Sequence, residues 1–148
     1  MIKNDNNLFF TCSLIEFIGR IRKLKRKDVV DMLERKNIQH IYNYADILHC
    51  EPITTVTDEY IKICNIKSGN FDNISTCKYD IPSYWDIGKV YSRLIQDIAG
   101  INENKNIIDI LEEIYRSWIS DSISNYNSDF FYQSRDYIRE CYKEGSVI

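Results

Sequence analysis

The chain has 148 residues, 44% hydrophobic and 28% charged, with a formal net charge of −3. That size suits one domain or two small lobes sharing a core, and the composition excludes a disordered chain. No apolar run approaches the roughly 20 residues needed to cross a bilayer, and a second half at −5 (residues 79–148, against +2 for residues 1–78) argues against a nucleic-acid coat.

Gly and Pro are scarce, at 5 and 2 copies, and apolar residues recur periodically, which favours helices joined by short loops. Residues 8–23 read as a first helix through Phe10, Leu14, Phe17, Ile18 and Ile21, with Gly19 a mild cost inside it. A second helix is expected over 28–36, with Asp28 as cap or first-turn acid and Val29, Met32 and Leu33 as its buried stripe. A third is expected over 38–49, ended by His49 and broken by Pro52. Thr57 to Ile63 suits a fourth short helix capped by Thr57, with a strand as the alternative because Val56, Ile61 and Ile63 are β-branched. Residues 67–79, within the polar stretch 65–80, read as a linker or loop.

The strongest local signal is Pro82-Ser83-Tyr84-Trp85-Asp86. It predicts a helix start with Ser83 as cap, followed by Ile87, Val90, Tyr91, Leu94, Ile95 and Ile98 on one face and closed by Gly100. The pattern repeats over 105–123 and again over 129–143, with Gly145 as the stop. The expected architecture is all-α, a compact bundle of about six to seven helices in two halves, residues 1–66 and 80–148.

No residue set points to catalysis or a cofactor. Five cysteines at wide spacing (Cys12, Cys50, Cys64, Cys77, Cys141) make neither a disulfide framework nor a zinc knuckle. The expectation is reduced thiols in a cytoplasmic protein, since the N-terminus lacks the pattern of a signal peptide. His49-Cys50 with Cys64 and Cys77 offers four ligand atoms, but at spacings unlike those of zinc modules. Nothing marks any Cys as a nucleophile. Ser117, Ser120, Ser122 and Ser124 lie outside any Gly-x-Ser-x-Gly turn, and no phosphate-binding glycine loop is present. Asp109, Glu112 and Glu113 read as a solvated acidic face rather than as acid–base residues.

Two groups are candidates for interaction. Arg20, Arg22, Lys23, Lys25, Arg26 and Lys27 open a segment, residues 20–36, with a local charge of +5. It suits a solvated loop or an acidic protein partner, or a DNA-binding regulator in which the second and third helices mimic a helix-turn-helix. The third helix, however, carries Ile, Tyr and Leu where base-reading side chains would stand. Tyr84 and Trp85 form the second group, as a packed anchor or a recognition patch.

Residues 10–61 bring together a Phe/Ile/Glu opening helix, Val29 with Leu33, Tyr44-Ala45-Asp46-Ile47-Leu48-His49 and Asp58-Glu59-Tyr60-Ile61. This stretch resembles a family of very small helical bacterial proteins of uncharacterised biochemistry, often encoded beside ADP-ribosyltransferase-like toxins. The chain departs from that family in carrying residues 51–56 where the family has a Gly-containing turn. The stretch from Ile81-Pro82-Ser83-Tyr84-Trp85 to Ile95 is similar to another helical module of such neighbourhoods. The resemblance implies a non-enzymatic, antitoxin-like binding role. Its motifs are core patterns, so no functional residue carries over.

Overall fold

A computed structural model describes residues 5–148. The protein is all-α, as expected. Its elements run α1 (Asn6–Arg22), α2 (Arg26–Asn43), α3 (Ala45–Leu48), α4 (Ile53–Cys64), α5 (Tyr84–Ile101), α6 (Ile107–Arg116), α7 (Trp118–Ser124), a 3-10 turn (Phe130–Tyr132) and α8 (Arg135–Glu144). Among the described residues there is no strand, and no helix is long and apolar enough to cross a membrane.

The first helix is the centre of the bundle. Asp5 caps it by accepting from the Leu8 N–H at 2.9 Å, satisfying one of the free donors at a helix start. Leu8, Leu14, Ile15 and Ile18 are fully buried, and the most extensive helix contact in the molecule is α1 against α5. Gly88 makes that contact close, because a Cβ there would sit 2.1 Å from Ser13 Oγ and 2.8 Å from Ser13 Cα. Buried residues from 1–66 and 80–148 belong to one continuous core. Near its middle the Tyr91 and Tyr115 rings stack at 4.1 Å, and burial pushes the Cys12 thiol up to about 12.

The helix starts are where local sequence is most informative. Ser83 accepts from the Asp86 N–H at 3.0 Å while Asp86 accepts from the Ser83 N–H at 3.1 Å, a complete capping box. Gly145 ends α8 in the left-handed conformation at φ 83°. Elsewhere the boundaries differ from the sequence reading. Residues 28–36 and 38–49 do not form two helices parted at Asn37. They form α2, kinked at Glu34 (φ 66°, ψ 155°), and the short α3. The Asn37 amide stabilises the kink by donating to the Leu33 carbonyl at 2.7 Å.

Pro52 does not merely break the chain. It stands as the N-cap of α4, and Thr57 is buried inside a helix rather than capping one or opening a strand. The pattern over 105–123 divides at Ser117, whose hydroxyl donates to the Ile114 carbonyl at 2.7 Å and accepts from the Ile119 N–H at 3.4 Å. One serine thus ends α6 and starts α7. The helix expected over 129–143 becomes a 3-10 turn followed by α8, capped by Ser134. Gly100 does not close α5, which continues to Ile101. Ile21, expected on the buried stripe of the first helix, is exposed.

Residues 65–83 have no regular structure, but they are pinned at both sides. The Gly69 and Phe71 N–H groups donate at 2.8 Å to the Arg22 and Lys23 carbonyls at the C-terminal end of α1. Asn127 accepts from the Lys78 N–H at 2.7 Å and donates to the Thr76 carbonyl at 3.1 Å. The connection therefore packs along the bundle.

Candidate interaction surface

The six basic residues of 20–27 do not form one free patch. Arg26, the first residue of α2, is 1% exposed, and its charge is buried against Glu16, which is 0% exposed. Arg26 donates to Glu16 through Nε and Nη2, both at 2.9 Å, and to the Leu24 carbonyl at 2.7 Å. It also donates to Asn73 at 3.1 Å, and Asn73 in turn donates to the Ser124 carbonyl at 2.9 Å. Arg20, one turn after Glu16 on α1, donates to it at 2.8 Å and to the Pro82 carbonyl at 2.8 Å. The Tyr126 hydroxyl completes the set by donating to Glu16. Gly19 leaves the necessary room: a Cβ there would lie 2.4 Å from Arg26 Cδ.

Burial alone would raise the Glu16 carboxyl, but Arg26 and Arg20, with their hydrogen bonds and that of Tyr126, outweigh it and hold the group below its ordinary range. Burial pushes the Tyr126 hydroxyl up, and the Glu16 charge beside it adds to that. Glu16, Arg20, Arg26, Asn73 and Tyr126 each bond to another member of this network, so its chemistry is that of a brace.

The rest of the cluster is largely neutralised within the chain. Lys23 pairs with Asp72 and Lys25 with Asp121, both at 3.8 Å, and Arg22 donates to Ser68 at 3.3 Å. Lys27 alone of the six makes no such contact among the described residues. The acids of α6 are used similarly rather than simply solvated. Arg35 pairs with Asp109 and Glu112, and Arg116 with Asp31 and Glu112, tying α6 to α2. Exposed pairs of this kind contribute little each.

Tyr84 and Trp85 sit in the first turn of α5, fixed by the capping box. Trp85 packs on Phe9 with ring centroids 5.3 Å apart, Tyr84 on Phe17 at 5.0 Å, and the two rings on each other at 4.9 Å. Four rings thus line the outer seam between α1 and α5. Trp85 remains 38% exposed, so it is at once packed and presented. Lys89 and Arg93 continue its face of the helix at intervals of four residues. Together with Phe9 they line a cleft of about 300 Å³. The sequence reading passed over Phe9, Lys89 and Arg93. The spacing 85, 89, 93 was available as a signal, but one exposed stripe on an amphipathic helix looks like any other.

The remaining candidates do not assemble. No group of three or more His, Cys, Asp or Glu able to hold a metal occurs among the described residues, and all five cysteines are free thiols. His49 ends α3 and lies on the surface with Cys50. Ser120 and Ser124 are buried, and Ser120 is hydrogen-bonded to the Tyr91 hydroxyl at 2.8 Å. A second cleft, about 440 Å³ beside Phe71, is walled by Asn73 and Asn127, whose amides are spent on the contacts given above.

No protein-family model, curated protein or solved structure matches this chain. The comparisons therefore add no link to toxin-associated proteins.

Proposed function

We propose that this chain is a non-enzymatic protein-binding module, an antitoxin- or immunity-type partner of a toxin, acting in a bacterial cytoplasm. The observation that carries the reading is the ring array of Phe9, Trp85, Tyr84 and Phe17. Rigid Trp and Tyr side chains that are held from below yet open to solvent are favoured anchors of protein interfaces, because little side-chain freedom is lost when a partner covers them. The rival reading, a DNA-binding regulator using residues 20–36, has less support. Arg20 and Arg26 are spent on Glu16, and Lys23 and Lys25 face Asp72 and Asp121.

The test is tagged capture from the source cells, followed by expression of each captured protein with and without the chain. The expected result is one stoichiometric partner that arrests growth alone and is silenced by the chain. Trp85→Ala should abolish both capture and silencing while the chain stays folded. A folded chain that captures no protein, and instead shifts a specific duplex at physiological salt until Arg22 and Lys25 are changed to Glu, would move the assignment to the regulator.

A further inference from the structure

We infer that the outer face of α5 is a docking strip for an acidic segment of a partner protein, with an apolar side chain seated on Trp85 and Phe9 and carboxylates on Lys89 and Arg93. This inference rests on the protein-binding reading and names the partner's chemistry.

The strip carries unpaired positive charge. The chain has eight arginines. Arg20, Arg26, Arg35, Arg116, Arg135 and Arg139 are each paired with a carboxylate, and Arg22 is hydrogen-bonded to Ser68. Arg93 is the one guanidinium with neither among the described residues. Lys89, a turn before it, is likewise unpaired. In a protein with an acidic second half, two adjacent free cations on the same cleft are not explained by the protein's own needs.

The carboxylate of the cleft, Asp5, does not neutralise them. Its two oxygens accept from the Leu8 N–H at 2.9 Å and the Tyr42 hydroxyl at 2.6 Å, and among the described residues it forms no ion pair with Lys89 or Arg93. Arg135, also on the cleft, is held by Asp97 at 2.7 Å. A guanidinium presents a planar fork that matches a carboxylate, and an ammonium a compact point charge. The indole at one end supplies the apolar seat. From Trp85 to Arg93 the helix rises about 12 Å, so a short segment bearing an apolar residue and two acids spans the strip.

The test uses a random linear peptide library displayed on phage and selected against the full chain. Selected peptides are then synthesised and titrated into a Trp118→Phe chain, in which Trp85 is the sole tryptophan and reports by fluorescence. The expected peptides are acidic with one large apolar residue, and they shift Trp85 emission. They should bind Lys89→Glu/Arg93→Glu at least about tenfold more weakly, as loss of close charge pairs requires. They should also weaken between about 50 and about 300 mM salt. Lys62→Glu/Lys67→Glu changes net charge equally at unpaired positions elsewhere, and should bind as the parent does.

Neutral or basic peptides, equal binding to the Lys89/Arg93 variant, or no enrichment at all would overturn the inference. So would a dimer, or duplex DNA bound at physiological salt, that this variant abolishes, since the strip would then serve a second copy or a phosphate backbone. If the native partner is still captured by Lys89→Glu/Arg93→Glu but lost with Trp85→Ala, the protein-binding reading stands and the acidic-segment inference alone fails.

Discussion

Glu16→Gln should be among the most damaging single substitutions in the protein, and more damaging than Arg26→Met. Glu16 accepts from Arg26, Arg20 and Tyr126. Glutamine keeps one acceptor oxygen and turns an N–H₂ donor towards groups that are themselves donors. Arg26 would remain charged, 1% exposed, and without a carboxylate. Breaking a buried pair from one side costs about 3–5 kcal/mol, because the surviving charge is left uncompensated. Arg26→Met leaves Glu16 with Arg20 and Tyr126, so its charge stays paired. The losses are the two bonds to Glu16 and those to Leu24 and Asn73, for a cost of about 2–3 kcal/mol.

Urea unfolding followed by far-UV circular dichroism at pH 7 would measure both. At about 2–4 °C per kcal/mol for a chain of this size, Glu16→Gln should lower Tm by about 10 °C. The pH dependence has a definite sign. The folded Glu16 carboxyl titrates below its ordinary value, so its stabilisation is complete above about pH 4.3, the unfolded value, and fades as pH falls through the lower folded one. The gap between parent and Glu16→Gln should therefore narrow in acid. A cost under about 1 kcal/mol for Glu16→Gln, or the reverse ranking of the two variants, would refute the description of this network as a buried, mutually dependent brace.

Gly88→Ala and Gly100→Ala should have opposite effects in thermal melts: the first lowers stability by about 1–3 kcal/mol because its Cβ meets Ser13, and the second raises it by about 0.5–1 kcal/mol because its Cβ meets nothing within 4 Å. Alkaline titration should destabilise the fold progressively above about pH 10. Burial raises the hydroxyls of Tyr91, Tyr115 and Tyr126 in the folded state, so the unfolded chain ionises first; absorbance showing all 11 tyrosines ionised while helicity is intact would contradict this. Ser83→Ala should cost about 1 kcal/mol for its cap, and Trp85→Ala about 1–2 kcal/mol, less than a fully buried indole, since its ring is partly open. Residues 1–66 expressed alone should be unfolded or aggregated by size-exclusion chromatography and circular dichroism, because the face of α1 that packs on α5 would be bare.

Periodic signals made the bundle legible. The series from Ile87 to Ile98 behind Ser83 and Asp86 identifies α5 almost to the residue, because cap and stripe are local properties. The interruptions were not legible. Ser117 serves two helices only once its hydroxyl reaches Ile114, and Glu34 bends α2 in a run with no Gly or Pro to announce it. The basic segment misled for a related reason. Its counter-ions lie at Asp72, Asp121 and Glu16, and nothing in the sequence marks any of the three as one. Charge density along the chain says nothing about charges folded against it from 49 or 96 positions away, as Asp72 is from Lys23 and Asp121 from Lys25. Lys89 and Arg93 escaped notice from the opposite direction. They are ordinary in sequence, and become conspicuous only when every other arginine has found a partner.

The brace at Glu16 also bears on how the chain is made. Its ligands are delivered in the order Arg20, Arg26 and Tyr126, so the first helix leaves the ribosome with a carboxylate that stays incompletely coordinated until Tyr126 has followed. Helical bundles usually close through near neighbours and fold fast; this one ties α1 to a segment beyond α7. Nascent chains that stop short of Tyr126 should therefore remain protease-sensitive even where α1 to α6 have already been synthesised. Synthesis past Tyr126, rather than emergence of any one helix, would then be the step that commits these residues to their fold.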